Sequence, residues 1–230
     1  MKSLAIIPAR SGSKGLKDKN IKLLHGRPML AYTVEAAKKA GIFDAVHVST
    51  DSDAYRKIAE QYGAEVPFLR SGALASDTAV TWDMVRWTLE QYRALGKRFD
   101  RVALLQPTSP LRDERDILAA HQMMEEKGAG AVVSVCEMEH SPLWSNVLPK
   151  DGNMKGFIRE ELLRQRQGLP VYYRLNGAVY MVDETLLWQE PMELYGEKTY
   201  AYIMPKERSV DIDDEFDFAM AETMISRKGK

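Results

Sequence analysis

The chain has 230 residues, of which 45% are hydrophobic, and its formal net charge is −1 at pH 7. This length fits one α/β domain with at most a small appendage, and a charge near zero favours neither nucleic acid nor an acidic membrane as a partner. No apolar run is long enough for a membrane span, and the single cysteine, Cys136, rules out an intramolecular disulfide and is typical of a protein in a reducing cytoplasm.

Short apolar runs alternate with helical patterns along most of the chain. Strands are predicted at residues 3–8, 44–49, 101–106, 130–136, 173–182 and 199–204. Helices are predicted at residues 28–40, 52–62, 81–95, 112–127 and 214–226. The alternation predicts βαβ units in a mostly parallel sheet with helices on both faces. In such sheets ligands bind beyond the carboxyl ends of the strands.

The segment 137–175 breaks this pattern. It contains Pro142, Pro149 and Pro170, and its residues 151–153 are a turn signal. We interpret it as an irregular excursion or hairpin arm, inserted in an α/β domain made of residues 1–136 and 176–230.

The loop after the first strand is the most informative motif. It combines Gly12 and Gly15 with four cations, namely Arg10, Lys14, Lys17 and Lys19. Glycines let backbone N–H groups converge on an anion, and the cations can neutralise a polyphosphate. The loop matches neither the Walker A pattern nor GxGxxG. It predicts a phosphate cradle, and the alternative is a solvated basic turn.

Polar residues follow two other predicted strands. Ser52 or Asp53 suits a helix cap after the strand at 44–49. Gln106 is at the end of the predicted strand 101–106, next to a proline-rich turn. Its side chain can bind a base edge or a sugar hydroxyl, or can form hydrogen bonds with the backbone of the loop.

Near the end of the chain, Asp211 and Asp213 alternate with apolar residues, so an extended backbone would place both carboxylates on one face. Carboxylates beside a polyphosphate suit Mg²⁺. The alternative for Asp213 or Asp214 is to cap the final helix, for which we expect an apolar stripe of three residues, Phe216, Met220 and Met224.

Collinear motifs over nearly the whole chain resemble the acylneuraminate cytidylyltransferases, the CMP-sialic acid synthetases. The motifs are IPARSGSKG (7–15) with KN (19–20), STD (49–51), LASDT (74–78), LQPTSPLR (105–112), NGAVY (176–180) and SVDID (209–213). The resemblance implies a Rossmann-like three-layer α/β/α fold of the nucleotide-diphospho-sugar transferase type, with residues 137–175 as a dimerisation arm. It further implies a Mg²⁺-dependent, homodimeric, cytoplasmic enzyme that transfers CMP from CTP to the anomeric hydroxyl of a nine-carbon keto-acid sugar and releases pyrophosphate.

The same resemblance assigns roles position by position. Arg10, Lys19 and Asp211 are the expected catalytic residues. The expected nucleotide-binding residues are Arg10, Ser13, Lys14, Lys19, Asn20, Arg70, Ala79 and Thr81. The expected sugar-binding residues are Gln106, Arg166, Asn176 and Tyr180, and the expected metal ligands are Asp211 and Asp213.

One departure from the family pattern concerns the sugar. Related bacterial enzymes often read Pro-Leu-Lys where this chain has Pro142-Leu143-Trp144. N-acetylneuraminate is the expected substrate, and pseudaminic acid, legionaminic acid or a 3-deoxy-octulosonate are the alternatives. A sugar-1-phosphate nucleotidyltransferase or a non-catalytic nucleotide sensor on the same scaffold fits the motifs less well.

Overall fold

A computed structural model describes residues 1–13, 15–75, 80–158 and 169–228. Its strands are β1 (Ser3–Pro8), β2 (Leu23–Leu24), β3 (Arg27–Pro28), β4 (Ala45–Ser49), β5 (Arg101–Leu104), β6 (Ala131–Glu137), β7 (Tyr173–Asp183) and β8 (Thr199–Ile203). Its α-helices are α1 (Met29–Ala40), α2 (Asp53–Gln61), α3 (Thr81–Ala94), α4 (Glu114–Lys127), α5 (Glu184–Leu187) and α6 (Glu215–Lys228). Short 3₁₀ turns occur at Lys19–Ile21, Gly72–Ala75, Pro142–Trp144 and Lys206–Arg208.

Six strands form one sheet in the order β4-β1-β5-β7-β6-β8, and β2 and β3 form a separate antiparallel pair. β1 is parallel to both β4 and β5, and β6 is parallel to β8. Only β7 runs against its neighbours, β5 and β6. The sheet is therefore mostly parallel, as predicted, and the carboxyl ends of five strands share one edge.

Helices cover both faces of this sheet, which confirms the three-layer prediction. Alternate residues of β1 point to opposite sides: Ala5 and Ile7 pack with α1, α2 and α4, whereas Leu4 and Ile6 pack with α3 and α5. Both faces of the central strands are buried, so these strands appear in the sequence as continuous apolar runs.

Local capping explains where two of the helices begin. Ser52 accepts a hydrogen bond from the Tyr55 amide at the start of α2, as predicted. Asp113 and Asp116 form a reciprocal capping box at the start of α4. α4 ends at Gly128, which has a left-handed φ of 56°.

The final helix corrects one prediction. Asp214 caps it by accepting hydrogen bonds from the Phe216 and Asp217 amides. Phe216 is 73% exposed and Met220 is also exposed, whereas Phe218 is buried against the β2–β3 region. The apolar stripe predicted through Phe216 therefore lies on the outer side of α6.

The predicted arm overlaps the sheet at both of its ends. Glu137 is the last residue of β6 and pairs with Tyr173, and β7 already includes residues 173–175. Residues 138–158 contain one 3₁₀ turn and otherwise irregular backbone. Dimerisation through this arm stays a prediction. Among the described residues, no helix is both long and apolar enough to cross a membrane.

Candidate functional site

A cavity of about 550 Å³ lies at the carboxyl ends of β1 and β5. Eight residues predicted for the site line it, namely Arg10, Ser13, Lys19, Asn20, Arg70, Thr81, Gln106 and Asp213. They come from loops far apart in the chain that the parallel strands deliver to one edge. The structure thus brings together most of the nucleotide site predicted from the motifs.

The loop after β1 is held by its neighbours. Asp51, two residues beyond the end of β4, accepts hydrogen bonds from the amide and the hydroxyl of Ser11, both at 2.8 Å. Burial alone would raise the pKa of Asp51, but these hydrogen bonds outweigh it and the pKa is lowered. Asn20 is buried and donates from Nδ2 to the Arg10 carbonyl at 3.1 Å. Its amide thus supports the loop that carries Arg10.

Arg70 is the buried cation of the cavity. Arg70 is only 7% exposed, and its backbone amide donates a hydrogen bond to the Thr50 carbonyl at 2.8 Å. Its Nε and Nη2 atoms are buried without a hydrogen-bond partner in the described part of the chain. Burial lowers the pKa of Arg70, against the raising effect of the Asp51 charge. Buried donors without acceptors are costly, and a ligand oxygen in the cavity would satisfy them.

Lys19 joins the two ends of the chain at the cavity. Its Nζ donates to the Ile212 carbonyl at 2.7 Å and to Asp213 Oδ1 at 2.9 Å. A Cβ atom at Gly15 would stand 2.9 Å from the Asp213 carbonyl oxygen, so the glycine is needed for this close approach. Lys19, which is predicted to bind phosphate, and Asp213, which is predicted to bind a metal ion, therefore form an ion pair in the structure.

Asp213 lies at the border between the cavity described above and a second one, whereas Asp211 lines only the second. This second cavity has a volume of about 600 Å³, and its other lining residues include Arg174 and Met220. Asp211 Oδ1 is buried without a hydrogen-bond partner among the described residues. Burial raises the pKa of Asp211, and the nearby charge of Asp213 adds to this rise. A cation would relieve both effects.

The protein provides two carboxylates at the second cavity, those of Asp211 and Asp213, and this donor set fits Mg²⁺. Two carboxylates are typical of a magnesium site completed by water and substrate phosphates. Within the described ranges, no group of three or more His, Cys, Asp or Glu side chains could hold a metal. The metal assignment of Asp211 and Asp213 stays a prediction.

A bulge in β7 positions Gln106. The pairing of β6 with β7 shifts register between Val133 and Val135, so Ser134 alone faces residues 176–179. Gly177 has φ +72° there, and a Cβ atom on it would lie 2.9 Å from Gln106 Oε1. The bulge therefore packs directly against the Gln106 side chain.

Asn176 is predicted to bind sugar, but the structure gives it a buried structural environment. It is 1% exposed. Its Oδ1 accepts from Ser134 Oγ at 2.6 Å and from the Ala178 amide at 3.2 Å, and its Nδ2 donates to Ser209 Oγ at 3.0 Å. These contacts join the β7 bulge to the loop that carries Asp211. A direct contact with sugar stays a prediction.

Tyr180 lies on β7 opposite Leu104 and is half-buried, with its ring 6.0 Å from that of Trp82. Burial raises its pKa. Three predicted site residues, Lys14, Ala79 and Arg166, lie outside the described residues, and their roles stay predictions.

Two supporting residues were missed by reasoning from the sequence. Asp51 directly precedes the predicted cap residues Ser52 and Asp53, and in the structure it holds the first loop through Ser11. Thr108 lines the cavity, and its carbonyl accepts from the Ile212 amide at 2.8 Å, which joins the loop after β5 to the loop of Asp211. Asp51 lies two residues after the end of β4 and Thr108 four residues after the end of β5, and this position just beyond a strand is the signal that could have identified them.

Comparisons with known proteins agree with this geometry. A family model described as Cytidylyltransferase matches residues 4–211. An N-acylneuraminate cytidylyltransferase of Escherichia coli is 38% identical over all of this chain, which spans 53% of that relative. A CMP-N,N'-diacetyllegionaminic acid synthase of Legionella pneumophila is 37% identical over 98% of this chain and 97% of its own length.

Solved structures support the fold independently. A CMP:2-keto-3-deoxy-manno-octonic acid synthetase complexed with CTP superimposes with a TM-score of 0.72 at 16% identity, covering 99% of this chain and 100% of its own. This likeness shows the fold alone, whereas the family model and the identities to the two relatives show that this chain belongs to the cytidylyltransferase family.

Proposed function

We propose that this protein transfers CMP from CTP to the anomeric hydroxyl of a nine-carbon keto-acid sugar and releases pyrophosphate. Arg70 carries the proposal: it is a buried residue lining the cavity, and its Nε and Nη2 atoms have no acceptor among the described residues. A nucleotide offers carbonyl and phosphate oxygens to such donors. The names of the similar enzymes from Escherichia coli and Legionella pneumophila support the same reaction.

In this proposal the chain acts mainly by positioning and by neutralising charge. Arg10 and Lys19 bind the phosphates and stabilise the charge that builds on the departing pyrophosphate. Lys19 Nζ has three N–H donors, of which one goes to Asp213 and one to the Ile212 carbonyl, so the third can bind a phosphate oxygen. The sugar hydroxyl then attacks the α-phosphorus of CTP, and the bond to pyrophosphate breaks.

Asp211 and Asp213 would hold Mg²⁺ beside the phosphates. When bound, this ion would supply charge neutralisation at the α-phosphate. The raised pKa of Asp211 supports this assignment, because burial and the Asp213 charge outweigh the Thr108 hydrogen bond and the charges of Lys19 and Arg174. Its Oδ1, which has no partner in the described part of the chain, could accept a further cation.

Two sugars are the leading substrate candidates. N-acetylneuraminate is favoured by the similarity to the N-acylneuraminate cytidylyltransferase of Escherichia coli, which is 38% identical and about half of whose length this chain spans. N,N'-diacetyllegionaminate is favoured by the relative whose length the chain matches at 97%. Trp144 gives an apolar surface in place of a cation, which suits a sugar with a more apolar substituent.

We also propose that the protein acts as a homodimer in the cytoplasm, with the arm at its interface. Val147 is 88% exposed, and Leu148, Met154 and Val171 are exposed as well. Phe216 on the outer side of α6 adds a further apolar surface. Light scattering at micromolar concentration should give twice the monomer mass, and a fully active monomer would contradict this arrangement.

The activity is tested by measuring pyrophosphate release with CTP and Mg²⁺ over a panel of keto-acid sugars. Rapid release is expected with N-acetylneuraminate or N,N'-diacetyllegionaminate, and UTP should be a poor donor. A site built to pair the cytosine amino edge leaves polar groups unsatisfied when uracil binds. Equal rates with CTP and UTP, or no release with any sugar of the panel, would refute the assignment.

A further inference from the structure

A buried ion pair lies behind the two carboxylates of the site. Asp116, in the first turn of α4, is 0% exposed. Arg208 donates to it from Nε and from Nη2, both at 2.8 Å, in a bidentate arrangement. Paired hydrogen bonds of this kind fix both distance and orientation.

Asp116 has two further donors. The Tyr202 hydroxyl donates to Oδ1 at 3.0 Å, and the Asp113 amide donates to Oδ2 at 3.1 Å. The side chain thus connects the start of α4, the end of β8 and the 3₁₀ turn Lys206–Arg208. The hydrogen bond with Asp116 raises the pKa of Arg208, which is consistent with a guanidinium held by a buried carboxylate.

Arg208 is the last residue before the loop of the predicted metal ligands. Ser209 follows it and is buried; its hydroxyl donates to the Pro205 carbonyl at 2.8 Å and its amide donates to the Lys206 carbonyl at 3.0 Å. Ile212 is buried, and its amide donates to the Thr108 carbonyl. The backbone of this loop is therefore anchored at both ends, and Asp211 lies between the anchors.

We propose that Asp116 and Arg208 are positioning residues, whose ion pair determines where Asp211 and Asp213 stand at the edge of the cavity. This inference rests on the proposed function, because it assigns the pair to the metal side of the same site. Neither residue of the pair lines either of the two cavities at the site, so we assign the pair no contact with CTP or sugar.

The test compares Arg208→Lys with a matched control, Arg101→Lys. Arg101 has a side chain that is 7% exposed, against 19% for Arg208, and it pairs with Glu125 and Asp183, but it begins β5 at the opposite edge of the sheet. In both variants lysine keeps the charge but cannot reproduce the two directed hydrogen bonds of the guanidinium, which go to one carboxylate from Arg208 and to two from Arg101. Both should therefore lower the melting temperature.

Only Arg208→Lys should weaken the metal site. We expect Mn²⁺ binding to the CTP complex, followed by electron paramagnetic resonance, to weaken about ten- to a hundredfold, the usual effect of removing support behind a metal ligand. The Mg²⁺ concentration for half-maximal rate should rise in parallel, with a CTP KM within about twofold of the parent. Tyr202→Phe removes one hydrogen bond from Asp116 at nearly constant volume, and should shift Mn²⁺ affinity in the same direction by less.

The outcomes separate this inference from the proposed function. If Arg208→Lys and Arg101→Lys both lose stability but keep the parental Mn²⁺ affinity, the positioning role is refuted. If Arg208→Lys fails to fold, Tyr202→Phe decides instead, and a parental Mn²⁺ affinity in that variant also refutes the role. If the parent binds Mn²⁺ and CTP but forms no CMP-sugar, the proposed function is refuted, and the Mn²⁺ titrations still decide the role of the ion pair.

Discussion

Replacing Asn176 by alanine distinguishes a structural amide from a sugar ligand. The substitution removes hydrogen bonds with Ser134, Ala178 and Ser209 in a buried environment. At about 1 kcal/mol for each net hydrogen bond, the free energy of unfolding should fall by about 3 kcal/mol. For a slope of about 3 kcal/mol per molar urea, the unfolding midpoint should then fall by about 1 M.

The assay is urea unfolding, combined with steady-state kinetics under conditions where the variant stays folded. Asn146→Ala is the matched control, since this exposed asparagine in the arm makes a hydrogen bond to the Phe157 carbonyl at 3.2 Å. The control should move the midpoint by a few tenths of a molar at most. We expect the Asn176 variant to lose stability, with similar changes in the CTP and sugar KM values as the bulge loosens.

The opposite pattern would refute this reasoning. If Asn176→Ala unfolds at the parental urea concentration but raises the sugar KM alone, the amide contacts the sugar and the buried network contributes nothing measurable.

Three further predictions concern single residues. Asp211→Asn should lower kcat by about a thousandfold or more, as expected for the loss of several kcal/mol of charge stabilisation. The free energy of unfolding should stay equal to that of the parent or exceed it. A near-normal kcat would exclude the metal role. Burial lowers the pKa of His47 to about 3, so between about pH 3 and 6.5 the unfolded chain binds a proton that the folded chain does not, and stability rises with pH in that window. The contribution of this group should make the free energy of unfolding about 2 kcal/mol lower at pH 5 than at pH 7. His47→Gln should remove this pH dependence, whereas His140→Gln, at an exposed position, should not. Gly177→Ala should raise the sugar KM by displacing Gln106 and cost about 1 kcal/mol of stability at its left-handed φ, and an unchanged sugar KM would argue against Gln106 as a sugar ligand.

Much of the fold follows from periodicity in the sequence. The predicted strand at 3–8 and the helix at 81–95 are confirmed as β1 and α3, almost to the residue. In α3, Val85, Leu89 and Tyr92 have helical spacing in the sequence and are all buried. These elements are buried on one or both faces, so their apolar spacing directly reflects their environment.

Tertiary packing determined what periodicity left open. In α6 two apolar rows have helical spacing, one through Phe216 and Met220 and one through Phe218 and Ala221. Only the position of the helix against the rest of the protein decides which row is buried. The bulge that buries Asn176 likewise depends on the register of β6 against β7, which no local motif encodes.

The contact between Lys19 and Ile212 spans 193 residues of sequence. At a synthesis rate of about 5–20 residues per second, the basic loop leaves the ribosome roughly 10–40 s before its partner carbonyl is made. During that interval the nascent chain exposes a phosphate-attracting loop without the acidic residues that face it in the finished protein. The nucleotide site is therefore among the last parts of the molecule to become complete during synthesis, and a chain stalled before residue 205 would carry its cations without the carboxylates of Asp211 and Asp213.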